Sequence, residues 1–113
     1  MLADILRQLA LAKFMAGDVA GGVRTSRRIL AMDPTCVRSL HNLALAMLRC
    51  GHPRRSAIYV AAGLRVDRHD DGLRRLRARV WAQQARHMVR SCLARWSSRL
   101  WRVSRLAGRP GTQ

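Results

Sequence analysis

The sequence has no glutamate, only one lysine and few aromatic residues. All 6 acidic residues are aspartates, and Lys13 is the one lysine among 22 basic residues, so the others are arginines. There are no paired glutamates, no glycine-rich phosphate loop and no nucleophile beside an obvious base, which are the usual elements of catalytic sites. We therefore expect a noncatalytic protein without a cofactor or a small-molecule substrate.

Cysteine is scarce, and the three thiols (Cys36, Cys50 and Cys92) form no CxxC pair. Such spacing argues against a disulfide framework and favours small buried thiols in a reducing cytoplasm. The four histidines lack the i, i+4 spacing of helical metal ligands, so no metal site is expected.

Long apolar runs are also lacking. No stretch approaches the ~20 residues that span a bilayer. Asp4, Arg7 and Lys13 interrupt the N-terminal apolar residues, so the sequence predicts no signal peptide. Together with the unpaired thiols, these absences predict a cytoplasmic protein.

Charge is unevenly distributed along the chain. Residues 1–72 carry 11 basic and 6 acidic residues, a balance of +5, whereas residues 73–113 carry 11 basic residues and no acid, a balance of +11. Two explanations remain open. The C-terminal part either meets an anionic partner, or reflects a preference for arginine codons in a GC-rich genome.

What the sequence has in quantity is alanine and leucine, which favour helix throughout a chain long enough for one domain. A gapless repeat organises these residues. When residues 3–36 are laid over 37–70, the offset of 34 residues aligns eight identical pairs: Leu6/Leu40, Leu9/Leu43, Ala10/Ala44, Leu11/Leu45, Ala12/Ala46, Gly17/Gly51, Leu30/Leu64 and Asp33/Asp67. The leucines and alanines recur at helical spacing, and each glycine falls where a first helix must turn.

This pattern resembles the tetratricopeptide repeat, a 34-residue antiparallel helix pair, over residues 3–70. The second unit carries the better match, through Asn42-Leu43-Ala44, Met47, Gly51, Ala57, Leu64 and Asp67. Gly22, Ser56 and Gly63 replace alanines of the family pattern, and Arg68 stands where the first unit has Pro34. The resemblance implies an all-α fold of antiparallel hairpins, an α-solenoid of about five helices that binds other proteins.

Local signals predict the helix boundaries. We expect helices over 3–16, 19–32, 35–50 and 53–66, with Asp33-Pro34-Thr35 capping the third and His52-Pro53 opening the fourth. No glycine or proline occurs between Gly72 and Ala107, which predicts one long helix with a possible break at Ser97-Ser98. Its start, Leu73 to Trp81, has the spacing of a cap over the last hairpin. The predicted domains are a repeat domain over 3–82, a basic helix over 83–107 and a disordered tail over 108–113.

The resemblance also implies a concave groove lined by the first helix of each pair. Its predicted lining is Arg7, Leu11 and Phe14 from the first unit and Arg38, His41, Asn42, Leu45 and Leu48 from the second. An apolar strip with basic edges suits a peptide that carries acidic groups. The carboxylate clamp of some family members is incomplete, because Leu11, Gly72 and Leu76 occupy positions that should be polar.

The predicted basic helix over 83–107 is amphipathic. Its apolar stripe includes Trp96, and its candidate partner-binding residues are Arg86, Arg90, Trp96, Arg99, Trp101 and Arg102. Three interpretations remain open: the stripe folds back on the hairpins, pairs with a second copy or a partner helix, or meets an anionic membrane or nucleic acid.

The leading hypothesis is a noncatalytic adaptor that binds another protein through the groove or the basic helix. The alternative is a module that binds anionic surfaces, nucleic acid or membrane headgroups, through that helix. A third possibility is a component of a larger array, since helical repeats usually need about three units for stability.

Overall fold

The computed structural model describes residues 2–107, with side chains through residue 105, and this part of the chain is all-helical. Five helices follow in order: α1 (Leu2–Met15), α2 (Val19–Met32), α3 (Val37–Arg49), α4 (Pro53–Val66) and α5 (Asp71–Ala107). No strand occurs among the described residues, so the predicted all-α fold with a long C-terminal helix is confirmed. The tail predicted over 108–113 lies outside the described residues.

The 34-residue period is visible in the helices themselves. Helices α2 and α4 begin and end 34 residues apart, as the sequence predicted. The turns that precede them contain Gly17 and Gly51, whose φ angles of 83° and 80° are positive and therefore favour glycine. Asp18 caps α2 by accepting a 2.9 Å hydrogen bond from the Gly21 amide, and Pro53 opens α4.

The start of α3 differs from the prediction. Asp33 ends α2 instead of capping α3, because its carboxylate accepts hydrogen bonds from the amide and the hydroxyl of Thr35 within the turn. The residue at the N-cap of α3 is Cys36, which makes no capping hydrogen bond. Asp70, 34 residues later, caps α5 by accepting a 2.8 Å bond from the Leu73 amide.

The core lies between the two hairpins and the start of α5. Hairpin α1–α2 meets hairpin α3–α4 through α2 and α3. Most of the buried apolar residues form three clusters: Ala10, Ile29 and Cys36; Val23, Leu43, Ala46 and Met47; and Ala44, Leu48, Val60, Leu76 and Val80. Leu73, Leu76 and Val80 from α5 are buried and cover the second hairpin, whereas Trp81, which the spacing grouped with them, is exposed.

Two helix glycines, Gly22 and Gly63, sit at close helix contacts. A Cβ on Gly63 would lie 2.6 Å from Cδ1 of Leu73, and a Cβ on Gly22 would lie 2.6 Å from the Phe14 ring. These glycines cost helix propensity, about 1 kcal/mol each relative to alanine. They allow a large side chain to pack directly on the helix backbone.

The described part of the chain divides into two compact units, with the division between residues 81 and 82. The first contains both hairpins and the start of α5. In the second, α5 continues through Ser97 and Ser98 as one unbroken helix, and every side chain from 86 to 105 is exposed. Among the described residues, no helix combines the length and apolar character needed to cross a bilayer.

Candidate partner-binding groove

The candidate groove is built from one face of α1 and one face of α3. Leu11 and Phe14 lie three residues apart on α1, and Asn42 and Leu45 have the same spacing on α3. Residues three or four apart share a face of a helix. Leu11 and Phe14 therefore form a short apolar stripe on α1, and Asn42 and Leu45 form a short stripe of one polar and one apolar side chain on α3.

A first depression of about 190 Å³ lies at the N-terminal end of α3. Four of the predicted groove residues line it, two from each helix: Arg7, Leu11, Arg38 and Asn42. Its remaining lining residues are Gln8, Ala10, Ile29 and Ser39. The structure thus brings basic and apolar residues of α1 and α3 to one concave surface.

A second depression of about 330 Å³ adjoins the first. It is lined by the predicted residues Leu11, Phe14, Asn42 and Leu45, together with Val19, Ala46, Arg49 and Cys50. Leu11 and Asn42 line both depressions. The two are therefore neighbouring parts of one groove, which we call the α1–α3 groove.

Two predicted residues lie outside the α1–α3 groove. Leu48 is only 6% exposed and packs with Leu76 and Val80 of α5, so it belongs to the core. The prediction that Leu48 lines the groove is therefore wrong. His41 is half-buried, and its Nε2 lies 3.4 Å from the position that a Cβ on Gly72 would occupy. It faces the start of α5 instead of either depression.

Arg7 is held at the edge of the groove by two aspartates. Its Nη1 lies 3.0 Å from Oδ1 of Asp4, and its Nη2 lies 3.8 Å from Oδ2 of Asp33. Hydrogen bonds from Thr35 lower the pKa of Asp33, and the Arg7 charge adds to this effect. Much of the Arg7 charge is thus already neutralised within the protein.

Cys36 lies behind Arg7, at the start of α3. Burial has the largest single effect and raises the pKa of its thiol. The Ser39 hydroxyl, 3.3 Å away, the Ser39 backbone amide and the Arg7 guanidinium together outweigh it, so the pKa falls below its usual range. The side chain is 7% exposed and packs with Ala10 and Ile29. Its environment is that of a packing residue.

The sequence reasoning missed several residues of the groove, of which Arg49 is the most informative. Arg49 follows Leu45 by four residues on α3, so the helical period that selected Asn42 and Leu45 also points to it. Arg49 and Arg38 are exposed, and the ion pairs found within residues 2–105 involve neither. They supply the positive charge at the two ends of the groove.

The candidate residues of the basic helix are all exposed in the second unit: Arg86, Arg90, Trp96, Arg99, Trp101 and Arg102. The Arg105 guanidinium stacks 3.8 Å from the centroid of the Trp101 ring in a cation–π contact. Leu93, Trp96, Leu100 and Trp101 line a shallow apolar surface there.

Within the described residues, no group of three histidine, cysteine or acidic side chains is placed to hold a metal ion. No protein-family model and no curated protein matches this sequence.

Proposed function

We propose that this protein is a noncatalytic adaptor of the tetratricopeptide type that binds a segment of another protein in the α1–α3 groove. The observation that carries the proposal is the pair of adjoining depressions, which share Leu11 and Asn42 and are lined by both hairpins. We place its action in the cytoplasm, because Cys36, Cys50 and Cys92 are all free thiols.

The chemistry of the groove favours a partner with both apolar and acidic side chains. Leu11, Phe14 and Leu45 offer an apolar floor, on which burial of a partner side chain is favourable. Arg38 and Arg49 lie at the rim, where a carboxylate gains electrostatic attraction and faster association. An acidic segment with spaced apolar anchors meets both requirements.

Asn42 gives the groove a polar point on its apolar floor. The hydrogen bonds found among residues 2–105 do not include one from the Asn42 side chain, which is half-buried and lines both depressions. An amide both donates and accepts hydrogen bonds, so it is suited to hold the backbone of an extended peptide. This role would position the peptide along the groove.

The proposal is tested by selecting ligands for the full-length protein from a random peptide display library. We expect enriched peptides to combine acidic residues with spaced apolar residues. Leu11→Asp should weaken them by about tenfold or more, because it places a charge on the apolar floor of both depressions. Isothermal titration calorimetry with the selected peptides measures the change.

Ile5→Asp provides the matched control. Ile5 lies on the same helix, is 62% exposed compared with 54% for Leu11, and lines neither depression. It should leave peptide affinity unchanged, and neither exposed substitution should change the thermal midpoint appreciably. Equal weakening by both variants, or enrichment of basic peptides, would rule out the α1–α3 groove as the binding site.

A further inference from the structure

Apart from the groove, the second unit displays a broad apolar surface. Six large apolar side chains on this part of α5 are between 52% and 70% exposed: Met88, Val89, Leu93, Trp96, Leu100 and Val103. At about 100° per residue, they fall within an arc of roughly 140° on the helix. Exposed apolar area of this extent marks an interaction site.

The charge on the same segment is of one sign. Six arginines lie between residues 86 and 105, at 86, 90, 95, 99, 102 and 105, and no acidic residue lies there. Arg86 and Arg90 follow one edge of the apolar arc, and Arg95 flanks the other. A partner surface that covers the apolar arc must therefore carry negative charge next to its own apolar region.

We propose that residues 86–105 of α5 form an interfacial helix that binds membranes containing acidic phospholipids. A lipid surface offers an apolar layer directly below a layer of phosphates. A helix lying in the plane of that surface places its apolar arc among the acyl chains and its arginines among the headgroups. The apolar arc and the flanking arginines match these two layers.

The width of the apolar arc favours a lipid surface over a partner helix. Five apolar residues recur at the alternating spacings of four and three that helix pairing needs: Val89, Leu93, Trp96, Leu100 and Val103. They span about 80° of the helix, whereas the apolar arc spans roughly 140° because it includes Met88. A second helix paired along this seam would leave Met88 uncovered and would have to accept the bulky Trp96 indole in one of its holes, whereas a fluid acyl layer has no fixed shape and covers the whole arc. Arg99 also falls within the arc, and its long aliphatic stem lets its guanidinium reach the phosphates.

The charge argues against a second copy of this chain. Two such segments side by side would bring twelve arginines together, six from each chain, with no carboxylate between them. Like charges at an interface are destabilising. Acidic headgroups instead neutralise the arginines.

The two tryptophans fit the boundary between the layers. Trp96 lies within the apolar arc and is 64% exposed, and Trp101 lies among the arginines and is 59% exposed. Indole rings favour the headgroup level of a bilayer, where one side is apolar and the other is wet. The stacked Arg105 keeps a positive charge beside the Trp101 ring. A nucleic acid would use the arginines but leave the apolar arc uncovered.

The test uses the full-length protein with vesicles of phosphatidylcholine, with and without phosphatidylserine. Binding is measured by vesicle flotation and by tryptophan emission. Trp81→Phe removes the exposed tryptophan of the first unit, so that the measured emission comes from Trp96 and Trp101. We expect at least tenfold stronger partitioning into the acidic vesicles and a blue shift on binding. Partitioning should weaken at 1 M salt, where charges are screened within about 3 Å.

Two pairs of variants separate the contributions of the apolar arc and of the arginines. Leu93→Ser with Leu100→Ser should lower partitioning by about tenfold or more. The matched control, Leu2→Ser with Ile58→Ser, changes residues of the first unit that are at least as exposed, and it should have no effect. Arg86→Gln with Arg90→Gln should weaken binding to acidic vesicles only. Arg54→Gln with Arg55→Gln, exposed on α4, should not.

Several results would overturn the proposal. One is equal binding to neutral and acidic vesicles, and another is binding that the Leu93/Leu100 variant leaves unchanged. Tighter binding to duplex nucleic acid than to vesicles would show that nucleic acid is the partner. If the protein does not bind vesicles but self-associates in sedimentation, and the Leu93/Leu100 variant abolishes this self-association, the partner is a second copy. None of these results bears on peptide binding in the α1–α3 groove.

Discussion

The two hairpins share a 34-residue pattern but differ in what they bury. Helix α1 buries only Ala10, whereas α3 buries seven residues, among them Leu40, Leu43 and Met47. Helix α3 contacts both α2 and α4, and the start of α5 covers it further, whereas α1 packs mainly on α2. Similar residues at repeat-equivalent positions therefore contribute unequally to stability, because neighbours on several sides determine burial.

The second helices do not share this contrast. Both bury small or polar residues, which are Gly21, Gly22, Thr25 and Ser26 on α2 and Ser56 and Gly63 on α4. Burial of such residues removes little apolar surface from water. Helix α2 also buries Val23 and Ile29, and α4 buries Val60. The smaller apolar core of the first hairpin therefore comes from α1, and the larger core of the second hairpin comes from α3.

The largest expected effect comes from Leu43 and its repeat equivalent Leu9. Leu43 is fully buried, and Leu9 is 43% exposed. Leu43→Ala should lower the free energy of unfolding by about 2–5 kcal/mol, because it leaves a cavity. Leu9→Ala should lower it by about 1 kcal/mol or less. Urea unfolding followed by circular dichroism measures both, and equal losses would contradict the difference between the hairpins.

The next effect concerns Gly63 and the leucine that packs on it. Gly63→Ala should destabilise the protein by about 1–3 kcal/mol, although alanine is the better helix former, because the new methyl group collides with buried Leu73. Gly22→Ala should cost less, since the half-buried Phe14 ring has room to move outward.

Leu73→Ala, combined with Gly63→Ala, tests the cause of this loss. The double variant should lose at least about 1 kcal/mol less free energy of unfolding than the sum of the two single losses, because removing the Leu73 methyl groups removes the collision. Additive losses in thermal or urea unfolding would show that the collision is not the cause.

The smallest effect distinguishes two fully buried serines, one in each hairpin. Ser56 donates a 2.6 Å hydrogen bond to the carbonyl of Ala44, whereas the Ser26 hydroxyl has no partner among the described residues. Ser56→Ala should cost about 1 kcal/mol, and Ser26→Ala should be neutral or stabilising. Thermal unfolding measures the midpoints of the two variants, and we expect the lower midpoint for Ser56→Ala. A larger loss for Ser26→Ala would contradict this prediction.

Much of the fold was predictable from local sequence. The repeat, together with Gly17, Gly51 and Pro53, correctly predicted the bounds of α2 and α4. Turn glycines and helix-opening prolines act through backbone geometry, so they are readable without tertiary contacts. The role of Asp33 was predicted wrongly, because an aspartate before Pro-Thr forms either a helix cap or a turn, and the Thr35 hydrogen bonds favour the turn.

The candidate groove was predictable only in part. Phe14 and Leu48 are repeat equivalents and were both assigned to it, yet Phe14 lines the α1–α3 groove and Leu48 is buried beneath Leu76 and Val80. The repeat pattern does not predict this difference, because it arises from α5, whose Leu76 and Val80 cover Leu48. Arg49 was missed although its spacing from Leu45 was visible in the sequence.

By itself, the sequence determined the helices, the turns and the 34-residue period, because propensity, turn geometry and apolar spacing act over a few residues. It also determined that the C-terminal part is basic and amphipathic. The tertiary structure alone decided which equivalent residues are buried and that Gly22 and Gly63 lie directly against a packed side chain. It also decided that Leu11 and Asn42 share one groove, since these properties depend on helices distant in sequence.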